Sequence, residues 1–108
     1  MAFSAVLPVS ELVDNTMRCV EFNGRDVLIV RVAGEVLAVD DLCTHEDASL
    51  SSGVLAGDRV RCPLHGSWFC LRTGDPQEEP ADEPLRRYSV RVENGWIELA
   101  LPETPTDA

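Results

Sequence analysis

The sequence has few basic residues for its size. Only 9 Lys+Arg stand against 19 Asp+Glu, which gives the 108 residues a formal net charge of −10. Such a chain lacks the phosphate-neutralising surface on which nucleic-acid binding depends. We therefore expect no nucleic-acid partner and an attraction toward basic protein surfaces. The solubility of a small protein would explain the same acidity equally well.

Long apolar runs are also missing. No stretch reaches the roughly 20 apolar residues of a membrane-spanning helix, so we expect no membrane association. The first basic residue is Arg18, and Pro8 and Glu11 interrupt the apolar residues before it. This N-terminus does not have the pattern of a secretory signal, so we expect a cytoplasmic protein. In that compartment the four cysteines are expected to be metal ligands or buried thiols rather than disulfides.

Histidine is scarce, and both copies lie in short boxes that also contain a cysteine. The boxes are Cys43-Thr44-His45 and Cys62-Pro63-Leu64-His65, separated by residues 46–61. Thiolates and imidazoles are ligands that suit iron, zinc and copper. The order C-x-H then C-x-x-H resembles the Rieske family, in which two Cys hold one iron of a [2Fe–2S] cluster and two His hold the other.

Two other interpretations of these four residues are open. They could bind one zinc ion as a structural Cys2His2 site, or they could be unrelated. Paired zinc ligands are usually separated by two or more residues, whereas one residue separates Cys43 from His45. The short gap suits two ligands that point at two different metals, so the spacing favours the cluster.

Short alternating segments with turn signals predict an all-β chain of eight to ten strands, either a sandwich or a barrel. Residues 27–32 are rich in β-branched side chains and are predicted as a central strand. Asn23-Gly24 and Asn94-Gly95 are strong hairpin signals. Further strands are predicted at 3–7, 16–22, 35–40, 58–61, 67–71, 86–93 and 96–101, with a helical turn at 8–12.

The remaining segments are predicted as turns and loops within one domain of 1–108. Residues 46–61 are rich in serine and glycine, and 77–84 hold two prolines and four carboxylates. Proline disfavours both helix and sheet interiors. Residues 102–108 are expected to be a frayed tail.

The resemblance to the Rieske family extends beyond the four ligands. The run from Cys62 to Phe69, the turn Thr73-Gly74-Asp75-Pro76, and the ending from Pro84 through Trp96-Ile97 are similar to that family's second cluster loop and closing hairpin. The resemblance implies a Rieske fold, an antiparallel β-sandwich with a small cluster-binding subdomain of two loops. It also implies one Rieske-type [2Fe–2S] cluster as cofactor.

Departures from the pattern select a subfamily. Rieske proteins of cytochrome complexes carry an additional disulfide-bonded Cys in each loop and a membrane anchor. The stretches 45–48 and 63–65 hold no such Cys. The sequence is therefore similar to Rieske-type ferredoxins of multicomponent aromatic-ring-hydroxylating dioxygenases, of the biphenyl or carbazole kind, which serve aromatic hydrocarbon catabolism.

The resemblance implies an electron carrier and not an enzyme. An oxygenase would need a further 2-His-1-carboxylate iron site, for which no histidine is left. A reductase would need a dinucleotide fingerprint, and no G-x-G-x-x-G occurs. We expect one-electron transfer from a flavin-containing NAD(P)H ferredoxin reductase to a terminal oxygenase, with no small-molecule substrate. The alternatives are a fixed small subunit of a nitrite-reductase-like complex and, in another class, a zinc-stabilised structural module.

Roles for single residues follow from the resemblance. Cys43 and Cys62 are expected to bind the buried iron, and His45 and His65 the outer iron. Pro63, Leu64 and Trp68 are candidates to shield the cluster, with ordinary loop packing as the alternative. Ser67 matches a hydrogen-bond donor of high-potential relatives. Phe69 replaces a second donor, and Glu46 and Asp47 add negative charge, so we expect a potential near roughly −150 mV.

Two features stay outside this assignment. Cys19 and Cys70 are predicted to be buried, unreactive thiols. The acidic run of Asp75, Glu78, Glu79, Asp82 and Glu83 is either a docking patch for a basic oxygenase surface or a solvated loop.

Overall fold

Nine β-strands and two short 3-10 helices make up the described part of the chain. The computed structural model describes residues 3–44, 48–64, 66–77 and 83–101. None of the helices among these residues is long and apolar enough to cross a membrane. The strands are β1 (Ser4–Pro8), β2 (Thr16–Phe22), β3 (Arg25–Val32), β4 (Glu35–Asp40), β5 (Val54–Ala56), β6 (Arg59–Arg61), β7 (Trp68–Cys70), β8 (Ser89–Glu93) and β9 (Trp96–Ala100), and the helices are Val9–Glu11 and Leu50–Ser52.

The sheet β2–β3–β4 is built from two consecutive hairpins. Asn23 and Gly24 have φ of 56° and 78°, and Ala33 and Gly34 have φ of 51° and 81°. Two consecutive left-handed residues make the tight turn whose twist matches antiparallel strands. This geometry confirms the first predicted hairpin and places β3 at the centre of the sheet, as its β-branched composition indicated.

A second sheet joins the two ends of the chain. Its order is β1–β9–β8, and Asn94-Gly95 turns β8 into β9 with φ of 54° and 81°. The predicted second hairpin is therefore confirmed. In this sheet Tyr88 belongs to the hydrophobic core and Val90 packs against it, whereas Val92 is 49% exposed.

A third sheet, β5–β6–β7, consists of strands of only three residues each. β5 was not predicted, because its three residues lie within a segment rich in serine and glycine. The strand predicted at 58–61, before Cys62, corresponds to β6, which pairs with both β5 and β7. A Cβ on Gly53 would lie 1.9 Å from the Arg61 carbonyl oxygen, so only glycine allows this close approach of β5 to β6.

The strand β3 separates two hydrophobic cores. Leu28 and Val30 belong to the core shared with the third sheet, whereas Val27 and Ile29 belong to the core shared with the second sheet. Because successive side chains of a strand point to opposite faces, a strand buried on both faces needs a continuous apolar run. The middle sheet therefore lies between the other two and supports the third sheet from one face.

The all-β, antiparallel prediction is confirmed by these sheets. The predicted turn over residues 8–12 corresponds to the 3-10 helix Val9–Glu11. The predicted tail 102–108 and most of the proline-rich segment, residues 78–82, lie outside the described residues.

Candidate metal centre

The first cysteine–histidine box lies on the loop that follows β4. Leu42 and Ser49 form an isolated antiparallel bridge, and the Cys43 N–H donates a hydrogen bond to the Ala48 carbonyl at 2.9 Å. The loop thus returns on itself and places Cys43 at its base. His45 lies outside the described residues.

Asp41 fixes the entry to this loop. It is 2% exposed, and its carboxylate accepts hydrogen bonds from the Ser51 N–H at 2.8 Å and the Ser51 hydroxyl at 3.1 Å. Its carbonyl accepts from the Leu50 N–H at 2.7 Å. A buried carboxylate is tolerated because such donors replace water. Sequence reasoning missed Asp41, since an acidic residue at the end of a strand predicts solvent exposure.

The second box lies on the turn between β6 and β7. The Cys62 N–H donates to the Ser67 carbonyl at 2.8 Å, and the Gly66 N–H donates to the Cys62 carbonyl at 3.2 Å. Gly66 has a φ of 78°, a left-handed conformation that favours glycine. The turn therefore closes on Cys62, and His65 lies outside the described residues.

The structure brings the two predicted cysteine ligands to one core. Cys43 is 3% exposed and Cys62 is 1% exposed, and both belong to the hydrophobic cluster that includes Leu50, Val60 and Phe69. They are not joined in a disulfide. Two buried thiols from two loops therefore lie in one core, as the prediction that both are ligands of a single metal site requires.

These residues fit an iron–sulfur cluster. Thiolates are the protein ligands that such clusters use, and the surrounding apolar side chains exclude water from the sulfurs. Both loops are closed at their bases by backbone hydrogen bonds, so each cysteine is positioned by its neighbours and not by a disulfide.

The chain that follows the acidic run closes over the first loop. The Thr44 hydroxyl donates to the Glu83 carbonyl at 2.8 Å, and the Leu85 N–H donates to the Gly74 carbonyl at 2.7 Å. Leu85 is buried against the same core as the cysteines. This third contribution to the site was not predicted, because a hydrogen bond between residues 39 positions apart leaves no local signal in the sequence.

The candidate shielding residues differ in their surroundings. Leu64 is 61% exposed, and Pro63 is exposed beside it. Trp68 is half-buried, and the Arg59 guanidinium carbon lies 5.9 Å from its ring centroid. Trp68 therefore takes part in packing of the third sheet, whereas Leu64 presents an apolar surface at the end of the molecule.

Ser67 and Phe69, the two positions that bear on the expected reduction potential, are both buried. Ser67 is 1% exposed, and Phe69 is fully buried in the cluster that contains Cys43 and Cys62. A hydroxyl added to the Phe69 ring would lie within this core. Because the phenylalanine ring carries no donor, it contributes packing alone.

The prediction for the other two cysteines was wrong in part. Cys19 is exposed, because β2 is an edge strand of its sheet, and Cys70 is only half-buried. Local burial and the neighbouring Asp41 raise the pKa of the Cys19 thiol to about 11. For Cys70, burial acts to raise the pKa, but hydrogen bonds from Thr73 and the Arg72 backbone lower it below its ordinary value.

Comparisons with known proteins agree with this site. The sequence model of the Rieske [2Fe-2S] domain family matches residues 2–89. The 3-phenylpropionate/cinnamic acid dioxygenase ferredoxin subunit of Photorhabdus laumondii is 43% identical over 99 residues, which cover 91% of this chain and 93% of the relative.

Solved structures show the same likeness. The ferredoxin of carbazole 1,9a-dioxygenase from Nocardioides aromaticivorans IC177 superposes with a TM-score of 0.89 at 31% identity and covers 94% of this chain and 100% of its own. A chain from the complex of reduced oxygenase and oxidized ferredoxin in carbazole 1,9a-dioxygenase superposes with a TM-score of 0.86 at 36% identity, covering 91% and 92% of the two chains.

The chain belongs to the Rieske [2Fe-2S] domain family. Its cofactor is one Rieske-type [2Fe–2S] cluster, which confirms the cofactor prediction and excludes the zinc module. Within that family it is similar to ferredoxins, and it is an electron carrier and not an enzyme.

Proposed function

We propose that this chain carries single electrons from a flavin-containing NAD(P)H reductase to the terminal oxygenase of an aromatic-ring-hydroxylating dioxygenase system. The observation that carries this proposal is the match to 93% of the length of a relative named as a dioxygenase ferredoxin subunit. A likeness over almost the whole of that protein includes both cluster loops and the sheets that hold them.

The four ligands are assigned to the two irons as follows. Cys43 and Cys62 bind the inner iron as thiolates, in keeping with their burial in one core. His45 and His65 bind the outer iron as neutral imidazoles. When bound, the cluster accepts and releases one electron, and neutral histidine ligands raise its potential relative to an all-cysteine site.

The protein's own part is to hold the ligands and limit water. Asp41 and the Cys43–Ala48 hydrogen bond fix one loop, and the Cys62–Ser67 hydrogen bond fixes the other. The exposed Leu42, beside the first ligand box, and Leu64, within the second, provide apolar contact for a partner. The imidazoles of His45 and His65 would be the exit for the electron.

The acidic segment is the second element of partner recognition. Asp75 and Glu83 border an open cleft that Thr44 of the first cluster loop also lines. This position beside the loop supports docking against a basic oxygenase surface, and such contacts weaken as salt rises. The whole chain, 1–108, acts as one domain. We expect it to act in the cytoplasm.

Reconstitution tests this function. The purified protein is mixed with NADH, a flavin-containing ferredoxin reductase and a ring-hydroxylating oxygenase, and reduction of the oxygenase is followed by rapid mixing. We expect oxygenase reduction only when all components are present, with a rate that falls as ionic strength increases. Oxygenase reduction at the same rate without this protein would contradict the proposal.

A matched control uses Cys43→Ser against Cys19→Ser. The first variant should abolish electron transfer, whereas the second should support it at the wild-type rate. Stable copurification with one large oxidoreductase partner, together with no transfer to a separate oxygenase, would instead identify a fixed subunit.

A further inference from the structure

The side chain of Arg61 lies against the second cluster loop. A Cβ placed on Gly66 would be 2.8 Å from one Arg61 terminal nitrogen and 3.0 Å from its Nε. The guanidinium therefore covers the face of Gly66 that glycine leaves open. Gly66 is in turn hydrogen-bonded through its N–H to the Cys62 carbonyl at 3.2 Å.

This placement puts a fixed positive charge next to a cluster ligand. Arg61 directly precedes Cys62, and both residues line one open cleft of about 390 Å³ with Gly53 and Leu64. An arginine side chain keeps its proton at every accessible pH. The charge near the site is therefore permanent, in a chain whose net charge is −10.

Arg61 differs from four other arginines in having no carboxylate partner among the residues that the structure describes. Among the described residues, Arg18, Arg25, Arg72 and Arg91 form ion pairs with carboxylates. In the same part of the chain no carboxylate forms an ion pair with Arg61. Among the described residues its field at Cys62 is therefore reduced by solvent and not by an ion-paired acid.

We propose that Arg61 is a positioning residue for electron transfer, whose guanidinium, held against Gly66, favours the reduced state of the cluster. Reduction adds one negative charge to the site and involves no bond making or breaking at Arg61. A nearby cation stabilises that added charge and raises the reduction potential. This inference rests on the proposed function, because it takes the Cys62 loop as a ligand loop.

Three variants separate charge from packing. Arg61→Gln removes the charge, Arg61→Lys keeps it without the planar group, and Arg59→Gln removes an equal charge two residues earlier on β6. The potential of each purified protein is measured by protein-film voltammetry. We expect Arg61→Gln to weaken the equilibrium for reduction about three- to fivefold, which is about 30–40 mV at 59 mV per tenfold change for one electron.

The controls define the outcome. Arg61→Lys should stay within a factor of two of wild type, and Arg59→Gln should shift the equilibrium less than Arg61→Gln because the Arg59 guanidinium lies over Trp68 and not against Gly66 of the Cys62 turn. An unchanged potential in Arg61→Gln, or equal shifts in both Arg61 variants, or an equal shift in Arg59→Gln, would overturn the inference.

Paramagnetic resonance of the reduced wild type distinguishes the two levels of failure. A wild-type signal of mixed His/Cys ligation with no effect of Arg61→Gln rejects the role of Arg61 alone. Absence of that signal in the wild type rejects the proposed function, and the role of Arg61 with it.

Discussion

The strands β3 and β6 are both the middle strands of three-stranded sheets, yet they differ greatly in what they bury. β3 has four consecutive fully buried side chains, from Val27 to Val30, whereas β6 buries only Val60. Full burial of one such side chain contributes about 1.5–3 kcal/mol. The sheet of β3 can therefore form from its own apolar surface, and the sheet of β6 depends on additional support.

That support has two sources. One face of the β5–β6–β7 sheet packs on the core that β3 provides through Leu28 and Val30. The other source that we propose is the cluster, because Cys43 and Cys62 as its ligands would connect a loop of the middle sheet to a loop of the short sheet. Metal binding that requires a folded site contributes its binding free energy to folding. On this proposal the hairpin sheets form the scaffold and the cluster completes the third sheet.

Removal of one thiolate ligand should give the largest difference in stability between the middle sheet, which contains β3, and the short sheet, which contains β6. We expect Cys43→Ser to lose the visible absorption of the cluster, because the variant lacks a thiolate that would hold the iron. Amide hydrogen exchange should then lose protection in β5, β6 and β7 and retain it in β3. Cys19→Ser is the control, and its spectrum should match wild type. Equal loss of protection in β3 would show that the middle sheet depends on the cluster as much as the short sheet does.

Gly53→Ala should weaken the short sheet next most strongly. The new Cβ would meet the Arg61 carbonyl oxygen at 1.9 Å, and overpacking of this kind costs about 3 kcal/mol. Gly57→Ala is the matched control, since Gly57 has open space around it and only its φ of 59° opposes a side chain, at about 1–2 kcal/mol. Denaturant unfolding of the holoprotein measures both. Equal costs for the two variants would show that the contact can relax.

Tyr88→Phe should have a smaller effect, confined to the hairpin scaffold. The Tyr88 hydroxyl donates to an Asp40 carboxylate oxygen at 2.5 Å, and loss of this bond should cost about 1.5 kcal/mol. Burial and the Asp40 hydrogen bond raise the pKa of Tyr88 above its ordinary range.

The raised pKa of Tyr88 also makes the stability of the folded protein depend on pH. Because the folded state holds the phenolic proton longer than the unfolded state, this contribution is complete below about pH 10 and is lost as pH rises above it. Cys19, whose pKa is about 11, acts in the same direction, so both proteins are compared in a Cys19→Ser background. If Tyr88→Phe loses stability above pH 10 as steeply as its parent, the phenol is not responsible.

Phe69→Tyr should produce the smallest change, an increase in the reduction potential of the cluster. Phe69 is fully buried in the core that contains both cysteines. A hydroxyl that reaches a cluster sulfur would stabilise the reduced state and raise the potential from the expected value near roughly −150 mV. Voltammetry measures both proteins. An unchanged potential would mean that the added hydroxyl does not reach a sulfur.

The scaffold was more predictable than the site. Asn23-Gly24 and Asn94-Gly95 specify their turns through residues adjacent in sequence, and the apolar run of β3 specifies a strand buried on both faces. The ligand boxes could be found because ligand chemistry requires particular residue types at short spacings. The assignment of Cys43, His45, Cys62 and His65 as ligands stays a prediction.

The supporting contacts of the site could not be predicted, because they join residues distant in sequence. The Thr44–Glu83 hydrogen bond and the burial of Asp41 depend on how loops meet in space. The exposure of Cys19 depends on its position in an edge strand, which its residue type does not reveal.

Paramagnetic resonance of the dithionite-reduced protein tests whether the chain holds a [2Fe–2S] cluster with both histidine and cysteine ligands. The account predicts a rhombic signal whose average g value lies below that of an all-cysteine [2Fe–2S] cluster, because two histidines replace two thiolates at one iron. A colourless sample that contains zinc and gives no signal would contradict it. In that case the electron-carrier function, and the role of the cluster in completing the short sheet, would both be wrong.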